Sequence, residues 1–267
     1  MIPALPLPRD LSARLAGTPL SILLDIDGTL APIAPRPEQA RVSPETCHAV
    51  ADLTTLPGTH VAVVTGRSVE DARRLVPVPH VGVIGNHGFE VLGEEGEVIS
   101  EPAAHSYLDV VRAAAERLAG PCGEIEGVVL EDKKWTLSVH YRLAPRPTIP
   151  GLTDFINQLA SELGLVVTRG KEVLELRPPL KINKGTAAVL WVKKLGTPPG
   201  GSTLYIGDDR TDEDAFHELR TAFPRAVTIR VGDPDPGDAS VAEFRLETPM
   251  AVREFLLALA AVRRSQE

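Results

Sequence analysis

Two carboxylates one residue apart, Asp25 and Asp27, follow the apolar run Leu20–Leu24 and are followed at once by Gly28 and Thr29. A short apolar run bounded by Pro and Gly predicts a strand buried in a parallel sheet. In open α/β sheets ligands gather beyond the carboxyl ends of the strands, which is where the two aspartates fall. Gly28 and Thr29 then turn the chain and are expected to leave backbone N–H groups facing an anion. Paired acids would repel that anion unless a divalent cation lay between them. The stretch therefore predicts a magnesium-dependent phosphoryl-transfer site with an aspartate nucleophile.

Three further polar clusters end buried segments: Thr65, Lys184, and Asp208 with Asp212. Each supplies something that transfer through a covalent intermediate requires. Asp25 can attack phosphorus, because a carboxylate needs no base to activate it. Asp27 can protonate the leaving alkoxide and later take a proton from water. Thr65 can hydrogen-bond a phosphoryl oxygen, and Lys184 can balance both that oxygen and Asp25. Asp208 would complete an all-oxygen magnesium site with Asp25 and the backbone carbonyl of Asp27. Asp212 would hold a metal-bound water without touching the ion.

The elements that must position these groups alternate. Strands are expected at 20–25, 60–64 and 81–84, with Ser43-Pro44 and Ser68 capping the intervening helices. The lead-in 1–18 has room for one short helix, and 31–42 is too rich in proline for a regular element. From about residue 101 the pattern changes to helix, strands 124–130 and 134–142, helix, then strands 165–168 and 173–177 turning through 169–171. This predicts an inserted α+β domain at 102–178, with the core formed by 1–101 and 179–267. Parallel-sheet syntax resumes with a helix opening at Lys184-Gly185, strands at 203–206 and 227–231, and a helix from Thr248-Pro249 with Leu256, Leu257 and Ala260 inside. The fold class expected is α/β, a doubly wound parallel-sheet core with a smaller inserted α+β cap.

The chain has 267 residues, 43% hydrophobic, and a net charge of −8. That charge argues against nucleic acid, which would demand a basic face, and leaves a small phosphorylated molecule as the partner. The two cysteines read as free thiols of a reducing compartment: Cys47 on a helix, Cys122 after a Gly-Pro turn. No window is long enough for a membrane span, and the Pro-bearing N-terminus lacks a signal-peptide core, so a cytoplasmic monomer is expected. An EF-hand reading of Asp25-Ile26-Asp27-Gly28 fails for want of further carboxylates. Asp208 to Asp214 could be a solvated helix start, but a buried strand precedes it. The acidic run 233–238 has no such strand and reads as a loop.

These four motifs, in this order and at strand ends, resemble the haloacid dehalogenase-like superfamily of aspartate-nucleophile phosphatases, with core matches at about 20–100 and 180–262. In the insert, strand parity puts Lys171, Glu175, His140 and Arg142 on one sheet face, with Glu131 and Lys133 at a hairpin end. Mixed acids and bases suit sugar hydroxyls, although a solvated face with surface ion pairs has the same pattern.

Asp25-Ile26-Asp27-Gly28-Thr29, Thr65-Gly66-Arg67, Gly85-Asn86-His87-Gly88, Glu131-x-Lys133, Lys171-x-x-x-Glu175-x-Arg177-Pro178 and Gly207-Asp208-Asp209-x-Thr211-Asp212 together resemble the trehalose-6-phosphate phosphatase family over roughly 20–220. The resemblance implies magnesium-dependent hydrolysis of trehalose 6-phosphate. It also implies a substrate-binding set of Glu131, Lys133, Arg142, Lys171 and Glu175 from the cap, with Gly66, Arg67, Asn86 and His87 from the core. The alternatives are a related phosphatase of sucrose 6-phosphate or mannosyl-3-phosphoglycerate, and a phosphosugar sensor without turnover. The family commonly has a glycine in the loop where this chain reads Pro178-Pro179-Leu180-Lys181-Ile182-Asn183. Lys181 is thus a second candidate for the role given to Lys184, which Gly185 and the onset of the helix favour.

Overall fold

The computed structural model describes residues 9–93, 96–196, 201–233 and 239–265. Contacts divide the chain into two compact units, Met1–Ile99 with Ile182–Glu267, and Ser100–Lys181. Helix α1 (Arg9–Leu15) leads into β1 (Leu20–Leu24), α2 (Pro44–Thr54), β2 (Thr59–Val64), α3 (Val69–Leu75) and β3 (Val81–Gly85), followed by the short strands β4 (Glu90–Leu92) and β5 (Val98–Ser100). The second unit contributes α4 (Leu108–Gly123), β6 (Val129–Asp132), β7 (Leu137–His140), α5 (Ile149–Leu163), β8 (Val166–Gly170) and β9 (Val173–Arg177). The chain ends with α6 (Lys184–Lys194), β10 (Ser202–Gly207), α7 (Arg210–Ala222), β11 (Val227–Val231), β12 (Phe244–Leu246) and α8 (Pro249–Arg264).

The main sheet has the order β12-β11-β10-β1-β2-β3-β4-β5. It is parallel from β12 to β3, and β4 joins it antiparallel. Alternation along β1 separates two cores. Leu20, Ile22 and Leu24 pack with α2, α3 and α8, whereas Leu23 packs with Trp191 of α6 and Phe216 of α7. Helices thus cover both faces, as a buried parallel sheet requires. The doubly wound α/β class read from the sequence is the one found.

In register, Leu24 lies opposite Ile206 on one side and Val63 on the other. The residues that follow β1, β2 and β10 therefore emerge at one sheet edge. Ser43 and Ser68 cap α2 and α3 through hydrogen bonds from the N–H groups of Thr46 and Asp71.

The second unit is the four-stranded sheet β6-β7-β9-β8, antiparallel throughout. Leu137, Val139, Leu174 and Leu176 point to one face and pack on α4 and α5. The opposite face carries Glu131, Ser138 and Glu175 in one cross-strand row.

Several local expectations are corrected. Cys122 lies inside α4 rather than after a turn; Pro121 falls in the last helical turn, and the helix ends two residues after it, at Gly123. The strands expected at 124–130 and 134–142 are found at Val129–Asp132 and Leu137–His140, because a turn with Gly127 at φ 81° follows α4 and Lys134, at φ 73°, lies in the turn between the strands. Strand β8 reaches Gly170, so the β8–β9 turn is Lys171-Glu172, with Glu172 at φ 61°. Leu257 is exposed, whereas Leu256 and Ala260 are buried. The acidic run at 233–238 and the lead-in at 1–8 fall, apart from Asp233, outside the described residues. Among the described residues no helix is long and apolar enough to cross a membrane.

Candidate active site

Asp25 follows β1 directly, its N–H bonded to the Ile206 carbonyl at 2.9 Å, and the residue is 3% exposed. Its Oδ1 accepts a hydrogen bond from Lys184 Nζ at 2.7 Å. Lys184 is the first residue of α6, which Asn183 and Thr186 start with a reciprocal capping box. The same ammonium donates to Asp212 Oδ1 at 2.9 Å. Lys181, the rival candidate, is exposed.

Asp212 is fully buried and saturated with donors. Beside Lys184, its Oδ1 accepts the Tyr205 hydroxyl at 2.8 Å, and its Oδ2 accepts the N–H groups of Asp208 and Asp209 at 2.9 and 3.0 Å. Asp209 caps α7 by accepting from the N–H groups of Thr211 and Asp212.

Asp25, Asp208 and Asp212 each offer a carboxylate oxygen, all within 4.8 Å of one another. Burial pushes the Asp25 carboxyl well above its usual range; Lys184 opposes this, and the neighbouring acids 212, 208 and 209 add to it. Burial likewise raises Asp212, to about 7, against the pull of Lys184. The Lys184 ammonium is itself destabilised by burial, but Asp209, Asp212 and Asp25 outweigh that and raise it. One buried cation among so many acids leaves negative charge in excess. Hard oxygen donors with that excess fit a divalent cation such as magnesium. Gly28, at φ 89°, adds to the fit: a β-carbon there would collide with the Asp208 carboxylate.

Asp27 is oriented from a different side. Arg67 grips it bidentately, Nε to Oδ2 at 2.6 Å and Nη2 to Oδ1 at 2.8 Å. The remaining nitrogen of Arg67 binds Asp71, and Nη2 also reaches the Pro37 carbonyl at 3.2 Å. Arg67, expected on the substrate, is thus buried against two carboxylates of its own chain. Thr65 is buried beside it, and its Oγ1 accepts the Arg67 N–H at 3.1 Å.

The expectation that Gly28 and Thr29 present N–H groups to an anion is not met. Gly28 donates to the Ala31 carbonyl at 2.7 Å and Thr29 to that of Ile26 at 3.3 Å, because the turn closes upon itself.

Asn86 and His87 are both left-handed, at φ 49° and 55°, and both buried. That conformation bends the loop onto the β2 end: Asn86 N–H meets the Arg67 carbonyl at 2.7 Å, and His87 N–H meets that of Thr65 at 3.0 Å. A side chain at Gly66 would strike the His87 ring, so this loop needs glycine there. Glu90 fixes Asn86 through its Nδ2 at 2.8 Å.

In the second unit, Lys133 Nζ stands 3.5 Å from Glu175 and 3.9 Å from Glu131, and Glu131 also pairs with His140 Nε2 at 2.9 Å. Arg142 donates to Glu172 and to the Lys171 carbonyl, both at 3.1 Å. Of the recognition set named from the sequence, Glu131, Lys133 and Glu175 lie together, and Arg142 meets the backbone of Lys171. Tyr205, Asp209 and Asp71 were not singled out as site residues. The Asp209-x-x-Asp212 spacing carried a capping signal, and Asp71 stands four residues from Arg67.

The family described as trehalose-phosphatase matches residues 23–249. The chain belongs to that family. A trehalose-phosphate phosphatase of Mycobacterium avium is 37% identical over 250 residues, covering 92% of this chain and 63% of the relative. A protein of Mycobacterium tuberculosis described as an uncharacterized glycosyl hydrolase is 38% identical over 255 residues, covering 94% of this chain and 19% of its own length. The chain thus spans less than two thirds of these curated relatives. Among solved structures, a trehalose-6-phosphate phosphatase related protein superposes with a TM-score of 0.80 at 27% identity, covering 92% of this chain and all of that one.

Proposed function

We propose that the chain is a phosphoric monoester hydrolase that converts trehalose 6-phosphate to trehalose and phosphate. The observation that carries the chemistry is Asp25, buried at the end of β1 with Lys184 at 2.7 Å and the carboxylates of Asp208 and Asp212 beside it. The names of relatives matched along more than nine tenths of the chain carry the substrate.

The Asp25 oxygen not held by Lys184 attacks phosphorus as the bond from phosphorus to the sugar oxygen breaks. Asp27 gives the leaving oxygen a proton, then takes one from the water that attacks the aspartyl phosphate, so phosphate departs and Asp25 is regenerated. Arg67 keeps Asp27 in place for both transfers. Lys184 holds the nucleophile and, with Thr65, balances charge on the phosphoryl oxygens. Asp25, Asp208 and the Asp27 carbonyl would hold a magnesium ion, which would supply the positive charge that lets two anions meet. Asp212 fixes Lys184 and the Asp208 turn rather than the substrate.

The Glu131, Lys133 and Glu175 group suits a polyhydroxylated sugar, since its carboxylates accept and its ammonium donates. Two free thiols are the support for a cytoplasmic location. The decisive experiment is phosphate release from a panel of phosphosugars with and without magnesium, for the wild type and Asp25→Asn. Magnesium-dependent preference for trehalose 6-phosphate, lost in the variant, is expected. Turnover by Asp25→Asn would remove the nucleophile, and preference for another sugar would remove the substrate.

A further inference from the structure

A cavity of about 660 Å³ opens in the first unit, and none of the residues of the candidate active site line it. Its volume is in the range of small-molecule pockets. Val42, Leu75, Val78 and Pro79 give it apolar walls, and Arg41 and Arg74 line it as well. In a chain of net charge −8, two arginines on one apolar cavity single out an anionic ligand.

The two arginines also lead back to Asp27. Arg74 Nε donates to Asp71 Oδ1 at 3.1 Å, the other Asp71 oxygen binds Arg67, and Arg67 grips Asp27. On the other side, Arg41 Nη1 donates to the carbonyls of Glu38 and Ala40 at 2.7 and 2.6 Å. Arg67 Nη2 donates to Pro37 in the same turn. Two separate routes thus connect the cavity to the guanidinium that holds Asp27.

We propose that this cavity binds a small amphipathic anion, a carboxylate, sulfonate or phosphate ester carrying an apolar body, and that occupancy slows turnover through Arg74, Asp71 and Arg67. The anion competes with Asp71 for Arg74. Asp71, left with one cationic partner, draws Arg67 away from Asp27. A ligand acts at a distance only through such a difference in contacts between two states. The binding part stands independently of the phosphatase reading, and the coupling part rests on it.

The test uses 8-anilinonaphthalene-1-sulfonate as the probe, with the full chain. One saturable site is expected by fluorescence, with N-phenyl-1-naphthylamine, its uncharged counterpart, binding about tenfold more weakly. Arg74→Ala should weaken the sulfonate about tenfold for the same reason. Ala51→Trp, which occupies the cavity and leaves both arginines in the chain, should abolish binding while keeping the melting temperature and basal turnover. Cys47 also lines the cavity, so the probe should slow its alkylation by iodoacetamide. At saturating probe, kcat should fall about fivefold or more with KM unchanged. Sulfonate binding equal in wild type, Arg74→Ala and Ala51→Trp would overturn the site. Full occupancy with unchanged kcat would overturn the coupling. Absence of phosphate release with and without probe would refute the phosphatase reading, and the binding and alkylation measurements would still decide the site.

Discussion

Gly28 and Asp208 stand so close that residue 28 has no room for a β-carbon. The contact explains why a glycine follows the two aspartates in β1's loop: the turn needs φ 89°, and the Asp208 carboxylate occupies the space a side chain would take. Gly28→Ala should therefore cost about 1–3 kcal/mol of stability from backbone strain alone. It should also push Asp208 out of line and weaken magnesium binding. Thermal melts and calorimetric titration with magnesium check both, and an alanine variant with wild-type affinity would contradict the account.

Lys184 compensates the buried carboxylates of Asp25 and Asp212 together. Lys184→Met keeps the bulk and removes the charge. Losing one partner of a buried pair costs about 3–5 kcal/mol. Turnover should fall by about 10²–10³, the usual loss when a charge-stabilising donor at the reacting group is removed. Denaturant unfolding reads the first loss and steady-state kinetics the second; a methionine variant as stable as wild type would mean that the acids carry no charge there.

Glu131→Ala and Glu175→Ala test recognition by the second unit. Each should reduce kcat/KM on trehalose 6-phosphate by about tenfold or more, the worth of a hydrogen bond to a charged group. Hydrolysis of p-nitrophenyl phosphate, which has no sugar, should be nearly unaffected. Equal losses on both substrates would take these residues out of sugar binding.

Asp71 gives a pH signature. Burial works against its charged form, but hydrogen bonds and charge from Arg67 and Arg74 outweigh burial and hold the carboxyl below its usual range. Its contribution to stability is therefore present above the unfolded carboxylate pKa and is lost as pH falls through the lower folded value. The melting temperature of wild type should drop more steeply on acidification than that of Asp71→Asn, and parallel curves would refute the assignment.

The cysteines differ in reactivity. Cys122 lies on the buried face of α4, and burial pushes its thiol up to about 11, so at pH 8 only about one molecule in a thousand carries the thiolate. Cys47 is partly open. Mass spectrometry after brief iodoacetamide treatment should find Cys47 modified first, and a reversed order would be inconsistent with the packing of α4.

What the sequence disclosed was periodicity and termination. Asp25, Thr65 and Asp208 were legible because each ends an apolar run, and parallel strands bring their ends to one edge. The grip of Arg67 on Asp27 was not legible, since 40 residues separate them and only the β1–β2 register brings them together. The closure of the Gly28 turn on Ala31 was hidden because sequence pattern fixes where a chain turns but not which carbonyl receives each N–H. Strands β4, β5 and β12 have three residues each, too few for a period to show. Cys122 was misplaced because Pro121 reads as a breaker, whereas α4 continues for two residues beyond it.

The interleaving of strands bears on how the chain is made. Strand β1 lies between β2, about forty residues downstream, and β10, whose Ser202 partners Leu20 across most of the sequence. During synthesis the β2 side of β1 can pair early, while its other edge stays open until β10 emerges from the ribosome. By then all of Ser100–Lys181 has been produced, so the inserted unit can be complete before the sheet around it closes. Until that moment the nascent protein exposes a five-residue strand with one unpaired edge, open to pairing with another chain in the interval.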